Sequence, residues 1–301
     1  MIRHLHHSDI DKVWWDAELL RCSNRMWYAQ SWVLDITAPK WEALVDDATG
    51  AIMPLTWRRK WGINYLFTPY AVQQLGVFAP TMDDAVSAGM LEAVPERFRY
   101  WDIWLNAEMR LQASDGDGLH ENTNQLLDLG PGIDLLRAAY SEGHRRNLRK
   151  ARTNDAARDI PVDPFIDLFM RTTGARFGNV PAGADVMLRT LLRAANERGQ
   201  CRIPGMCQGK EASAAVCFIQ WEGRIILLKS ASDERGQEQR AMFHLVDAEI
   251  AQRAGSARLL DFAGSNTPSV ARFNAGFGAR STVYLRLVRN LLPPPLRWLK
   301  R

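Results

Sequence analysis

The chain has 301 residues, 24% of them charged and 47% hydrophobic, with a formal net charge of +4 at pH 7. That composition excludes a mainly disordered chain and supplies apolar material for two cores of ordinary domain size. The charge hides a skew: of 38 basic residues, 31 are Arg and 7 are Lys, so where arginine clusters matters more than the sum.

Eleven Trp residues are large and amphipathic and suit cleft walls and wet interfaces. Cys22, Cys201, Cys207 and Cys217 show no CxxC spacing and read as reduced thiols of an intracellular chain. The opening string MIRHLHHSDIDKVWWD has no apolar signal region, and no stretch approaches the roughly 18 apolar residues of a spanning helix. A cytoplasmic protein is expected. His4, His6 and His7 raise the question of a metal. With no Cys or acidic partner at ligand spacing they read as a frayed terminus, and no metal is expected.

In chain order, residues 8–20 predict a helix with Ser8 as N-cap and Ile10, Val13, Trp14 and Ala17 on one stripe. A short helix follows near 28–37, then a hairpin of 41–47 and 51–57 about an Ala-Thr-Gly turn. Apolar segments at 63–68 and 72–78 read as strands, 82–94 as a helix and 99–107 as a strand. ASDGDGLHENT (113–123) reads as a loop and 124–130 as a strand, closed by Pro131-Gly132. Helices are expected at 133–140, 141–153, 164–173 and 184–198. Strands follow at 201–208, 212–220 and 224–231, then helix 239–254, strand 257–263, helix 267–275 and strand 280–288. The second half repeats the order of the first, which points to two similar α+β domains joined near 130–140.

Three segments carry candidate chemistry. The apolar strand 224–231 runs through a polar loop, SDERGQEQR, into an amphipathic helix. The free amides of Gln239 to Phe243 at that helix start, with Arg235 and Arg240 nearby, form a candidate phosphate site; a plain crossover is the alternative. Asp261 near a strand end is a candidate polar group in a cleft, beside the tight turn Gly264-Ser265-Asn266. Arg145, Arg149 and Arg152 fall on one helical face of a stretch with five basic residues. That face suits an anionic ligand, with a solvated basic helix as the plain alternative. RNA is a weaker reading and DNA is not expected, because no aromatics are interleaved. The tail LLPPPLRWLKR (291–301) docks on the body or touches an anionic membrane surface.

The strings HRRNLRKA (144–151), CQGKEASAAVCFIQWEGRIILLKSASDERG (207–236) and LDFAGSNTPSVARFNAGFGA (260–279) resemble the FemAB-like branch of the acyl-CoA N-acyltransferase (GNAT) superfamily. The resemblance implies an α+β fold of tandem GNAT-like domains, each a mixed, mainly antiparallel sheet flanked by helices. The expected bounds are 1–132, 133–290 and a Pro-rich basic tail at 291–301. It implies an acyltransferase that moves an acyl group from acyl-CoA, acetyl or longer, to an amine of a cell-envelope or polysaccharide-type precursor at the inner face of the membrane.

Strand 224–231 would be the splayed central strand whose backbone holds the oxyanion, and Leu228, Lys229, Ser230, Gln239, Arg240, Ala241, Met242, Phe243 and Asn266 would contact the cofactor. Asp261 and Glu238 are candidate bases for the amine, Tyr284 a candidate acid, and Arg145, Arg149 and Arg152 candidate substrate contacts. The superfamily's glycine pattern Q/R-x-x-G-x-G/A is not intact: Gln237-Glu238-Gln239-Arg240-Ala241-Met242 has neither glycine. An aminoacyl-tRNA-dependent transferase and a non-catalytic adaptor on the same scaffold therefore stand as alternatives.

Overall fold

The computed structural model describes residues 1–111, 117–151, 157–177, 180–209, 211–264 and 266–293. In chain order the elements are β1 (Ile2–Leu5), α1 (Lys12–Arg21), α2 (Ser31–Thr37), β2 (Glu42–Asp46), β3 (Ala51–Leu55), β4 (Trp57–Lys60), β5 (Ile63–Phe67), α3 (Asp84–Glu92), β6 (Phe98–Trp104) and β7 (Asp117–Asp128). Next come α4 (Ile133–Ala138), α5 (Glu142–Lys150), β8 (Ala157–Asp159), α6 (Val162–Phe169), a π-helical turn (Met170–Gly174), α7 (Ala175–Phe177) and α8 (Ala184–Glu197). The chain continues with β9 (Cys201–Arg202), β10 (Pro204–Gln208), β11 (Glu211–Trp221), β12 (Arg224–Ser232), α9 (Glu234–Glu238), α10 (Ala241–Arg253), β13 (Leu259–Asp261), α11 (Pro268–Ala275) and β14 (Arg280–Asn290). Two compact units emerge: Met1–Asn122 with Val283 onward, and Thr123–Thr282.

In the first unit β1, β2 and β3 form an antiparallel sheet, while β5 pairs antiparallel with β4 and parallel with β6. Asp11, rather than Ser8, caps α1: its carboxylate accepts from the amides of Val13 and Trp14 at 2.9 and 3.1 Å. The cap lies there because residues 7–9 form a separate 3-10 turn. Trp15, Trp27 and Trp41 are fully buried, and the Trp15 indole donates to the Ala29 carbonyl at 2.8 Å. These tryptophans serve as core rather than as cleft wall, each large apolar body carrying one N–H that must find a partner.

In the second unit the strand order is β7-β13-β12-β11-β10-β8, with β9 also on β11. All pairs are antiparallel except β12 with β13. One parallel pair joined by a helical crossover is thus common to both units: β5-α3-β6 in the first and β12-α9-α10-β13 in the second. Parallel neighbours need such a crossover. The sequence β1-α1-α2-β2-β3 is likewise matched by β8-α6-α8-β10-β11, which gives the repeat read from the sequence its structural content. The second core gathers Phe218, Ile225, Leu227, Leu245, Ile250 and Phe277 between the sheet and α10.

Several expectations differ from the structure. The compact units divide at 122/123 and 282/283, not at 132/133. The physical reason is β14, whose residues from Val283 belong with β6: Arg286 pairs with Trp104 and Asn290 with Tyr100, and the Arg286 guanidinium forks onto Asp102 at 2.7 and 2.8 Å. Residues 117–123, expected as a loop, extend β7. The histidine-rich start is strand β1 rather than a frayed end. Of the tail, 291–293 are described, with the Leu291 amide on the Arg99 carbonyl at 2.9 Å; the rest lies outside the described residues.

One close approach in the second unit requires glycine. A Cβ on Gly276 would overlap the ring of His144, which is buried among Phe243, Phe273 and Phe277 with centroids 4.9, 5.5 and 4.6 Å away. Gly276→Ala should therefore lower stability by about 1–3 kcal/mol, the usual cost of overpacking. Denaturant melts should show the double variant Gly276→Ala/His144→Ala losing less than the two single losses added together.

Candidate functional site

Parallel pairing of β12 with β13 runs from Arg224 opposite Leu259 to Ile226 opposite Asp261 and stops. β12 continues to Ser232 along β11, whereas the other strand turns away: the Phe262 amide bonds to the Gln125 carbonyl, and Ala263 and Gly264 follow at positive φ. From Leu227 on, one edge of β12 faces no strand among the described residues. An open cleft of about 700 Å³ occupies this parting, inside the usual range for small-molecule sites. Leu227, Ser230 and Ala231 of β12 form one wall, and Phe262, Phe273 and Asn274 another.

The buried carboxylate of Asp261 fixes where the strands part. It accepts from Asn124 Nδ2 at 2.9 Å, from the Ala263 amide at 2.8 Å and from the Arg224 guanidinium at 2.7 Å. It has no exposed surface and lies outside the cleft lining. Its assignment as a base thus gives way to a structural one, because both oxygens are already engaged. Removing one member of such a buried pair leaves the other charge uncompensated. Asp261→Ala should cost about 3–5 kcal/mol, read as a lowered midpoint in urea unfolding followed by circular dichroism.

The polar loop after β12 is not a bare connection. Asp233 caps a one-turn helix, α9, by accepting from the Gly236 amide at 2.9 Å. A Cβ on Gly236 would overlap the Ser213 carbonyl, so α9 lies directly on β11. α10 then opens at Ala241, not at 239. Of the amides expected to be free, those of Gln239, Arg240 and Phe243 donate to the carbonyls of Arg235, Gln237 and Arg240 at 3.0, 3.1 and 3.1 Å, and the helix start borders the cleft through Arg240, Met242 and Phe243. Arg240 stands where the glycine of the superfamily pattern would stand, and its backbone is left-handed, φ 59°. The turn geometry is therefore kept by a residue that disfavours it, at a cost of about 1–2 kcal/mol, and a guanidinium is gained at the helix start.

The remaining wall was not legible as a site. α6 gives way at Met170 to a π-helical turn, and Thr172 and Thr173 border the cleft from it, with Arg176 of α7 just beyond. A π turn adds one residue to a helix and re-aims the side chains that follow, and such turns gather at functional sites. Periodicity over 164–173 gave no sign of it, the pair of β-branched threonines being the one local hint.

Of the expected cofactor contacts, Ser230, Arg240, Met242 and Phe243 line the cleft. Leu228, Lys229, Gln239 and Ala241 stand beside it in the chain but are not on its surface. The Lys229 ammonium lies 5.9 Å from the Phe169 ring, and burial pushes its pKa down to about 8. Asn266 instead accepts the Thr123 amide at 3.0 Å. Glu238 is exposed on α9 away from the lining, and Tyr284 is a buried first-unit residue packed 6.3 Å from Trp104, which removes both from the acid–base roles expected of them. Arg145 and Arg149 are exposed on α5, where the Arg145 guanidinium donates to the Ala138 carbonyl at 3.0 Å; Arg152 lies outside the described residues.

His144, the first residue of HRRNLRKA, acts from behind the cleft. Its Nε2 donates to the Phe273 carbonyl at 2.9 Å, and its Nδ1 accepts from the Ser141 hydroxyl at 2.9 Å. It thereby ties α5 to α11, the helix that carries Phe273 and Asn274 into the cleft. Burial lowers its pKa below the ordinary value of 6.5, only partly offset by the Phe273 hydrogen bond. The folded state then binds this proton less readily than the unfolded chain. The stabilisation is present above the ordinary histidine value and is lost as pH falls through the lower, folded value. Melts between pH 7.5 and 5 should show the wild type losing stability faster than His144→Gln, so that the gap between them narrows.

Residues 137–268 match the family model described as an acetyltransferase (GNAT) domain. They form an acyltransferase domain of the GNAT type. Among solved structures, that of FemX is similar over 99% of both chains, with a TM-score of 0.67 at 12% identity. The C-terminal domain of a lysylphosphatidylglycerol synthetase from Agrobacterium fabrum is similar over 96% of this chain and 95% of that one, with a TM-score of 0.52 at 9% identity. The structure of L-PGS from Bacillus licheniformis has the same coverage, a TM-score of 0.51 and 12% identity. At these identities the shared property is the fold. No curated protein matches the sequence. Among the described residues no helix is long and apolar enough to cross a membrane.

The GNAT fold generally binds acyl-CoA, and the residues present fit its parts. The cleft volume and apolar walls suit a pantetheine arm, the edge of β12 that no described strand covers suits its amides, and the α10 start with Arg240 suits a phosphate.

Proposed function

We propose that the second unit carries an N-acyltransferase site that takes acyl-CoA as donor and an amine of a cell-envelope or polysaccharide-type precursor as acceptor. The parting of β12 and β13 over the cleft is the observation that supports it. In this reading the Met242 amide, with Arg240, holds the donor's phosphate. The edge of β12 at Ser230, which lines the cleft, directs a backbone amide at the acyl carbonyl. That amide stabilises the charge that develops on the carbonyl oxygen when a neutral amine attacks. Glu234, exposed at the cleft mouth, takes over the role first given to Asp261 and Glu238, receiving the proton the amine must shed. The acyl–sulfur bond then breaks and the thiolate leaves. The precursor class and a site of action at the inner face of the membrane rest on the FemAB-like resemblance.

A second reading, an aminoacyl-tRNA donor, is favoured by one observation: Arg145, Arg146, Arg149 and Lys150 are all exposed on α5. The two readings separate by ligand and by salt. Thermal unfolding with CoA and acetyl-CoA should show a raised midpoint, since a ligand at about 100 times its Kd adds about 2.7 kcal/mol. Arg240→Gln keeps an exposed polar side chain but removes its charge from the cleft border, and should weaken CoA binding about tenfold or more with little change in melting. No shift with millimolar CoA, together with tRNA binding that falls steeply with salt, would transfer the proposal to the aminoacyl donor.

A further inference from the structure

The first unit contains a cluster that the cleft chemistry does not use. β1 pairs antiparallel with β2, Leu5 opposite Ala43 and His4 opposite Leu44. Continued by one residue, that register sets His6 opposite Glu42. Because side chains alternate along a strand, His4, His6 and Glu42 share one face of the sheet. Their potential ligand atoms all lie within 4.8 Å of one another. The carboxylate of Glu42 is 5% exposed, the His4 ring 25% and the His6 ring 59%, so the group is anchored in the unit and open on one side. His4 Nε2 lies 2.6 Å from Glu42 Oε2, and the Arg97 guanidinium bonds to that same oxygen. Oε1 faces His6 Nδ1 at 3.5 Å.

We infer that His4, His6 and Glu42 form a site for a late first-row divalent cation such as Zn²⁺. Two imidazoles and one carboxylate are the donor set such ions prefer over Mg²⁺ or Ca²⁺, which take oxygen. Three protein ligands leave a fourth tetrahedral position for water. Arg97 then orients the carboxylate from its far oxygen, the outer support that metal-bound carboxylates ordinarily have. Its positive charge opposes the cation, so the site binds less tightly than a thiolate-rich structural zinc centre. The acidic partner that the local sequence lacks comes from β2, through strand pairing.

The competing account is an ion-pair net in which Glu42 latches β1 through His4 and also pairs with Arg97, with His6 idle at the rim. Titration of the full, tag-free chain with ZnCl₂ distinguishes them. One equivalent should bind, raise the melting midpoint and go uncompeted by excess Mg²⁺. Co²⁺ in its place should give the intense visible absorption of tetrahedral coordination. His6→Ala removes an exposed side chain that the ion-pair net does not need; it should fold normally and lose affinity about tenfold or more, as should His4→Gln. Absence of binding by the wild type would overturn the assignment. So would unchanged binding by a folded His6→Ala variant, which would transfer the ion to other groups such as Cys201 or Cys207.

Discussion

A buried carboxylate sets the geometry on which the candidate site depends. Two parallel strands joined by hydrogen bonds would stay together unless something ended the ladder. At Asp261 the three donors, Asn124, Arg224 and the Ala263 amide, saturate a charge that has no access to water. They also hold the backbone where Ala263 and Gly264 turn at positive φ. The cost of burying that charge is offset only when all three donors are present. The edge of β12 that no described strand covers follows from this arrangement, and so does the cleft.

Two features around the cleft depart from the simplest form of the fold. At the start of α10, an arginine holds the left-handed turn that glycine would adopt freely. The backbone strain is accepted while a cation is added at the border of the cleft. At the opposite wall, the π turn after α6 rotates Thr172 and Thr173 toward the cleft. Both are local conflicts between sequence preference and backbone, the kind that collects where a protein binds something.

What was legible in the sequence was what short-range patterning controls. The β2–β3 hairpin, α3, α8 and the run β10-β11-β12 follow from alternation, helical periodicity and Gly-bearing turns. Of the residues singled out through the resemblance carried by 144–151, 207–236 and 260–279, Ser230, Arg240, Met242 and Phe243 line the cleft. What it missed depends on contacts distant in sequence. Asp261 reads as a candidate base until Asn124, 137 residues away, is brought to it. His144 reads as one member of a basic string until Phe273 and Gly276 close on it. His4 and His6 look unsupported until β2 supplies Glu42. The unit boundary was misplaced because strand membership is decided by pairing, and nothing within β14 reports that its partner is β6.

That return of β14 has a consequence for how the protein is made. The second unit is an insertion within the first. As the ribosome releases the chain, β6 acquires β5 on one side early, yet its other edge has no strand until residues beyond Val283 emerge. The Arg286 fork on Asp102 cannot form before then. A hydrophobic edge carrying Trp101 and Ile103 therefore waits through the synthesis of some 160 residues. An unsatisfied edge is a template for pairing with another nascent copy. Completion of the first unit thus waits for synthesis of the whole second unit.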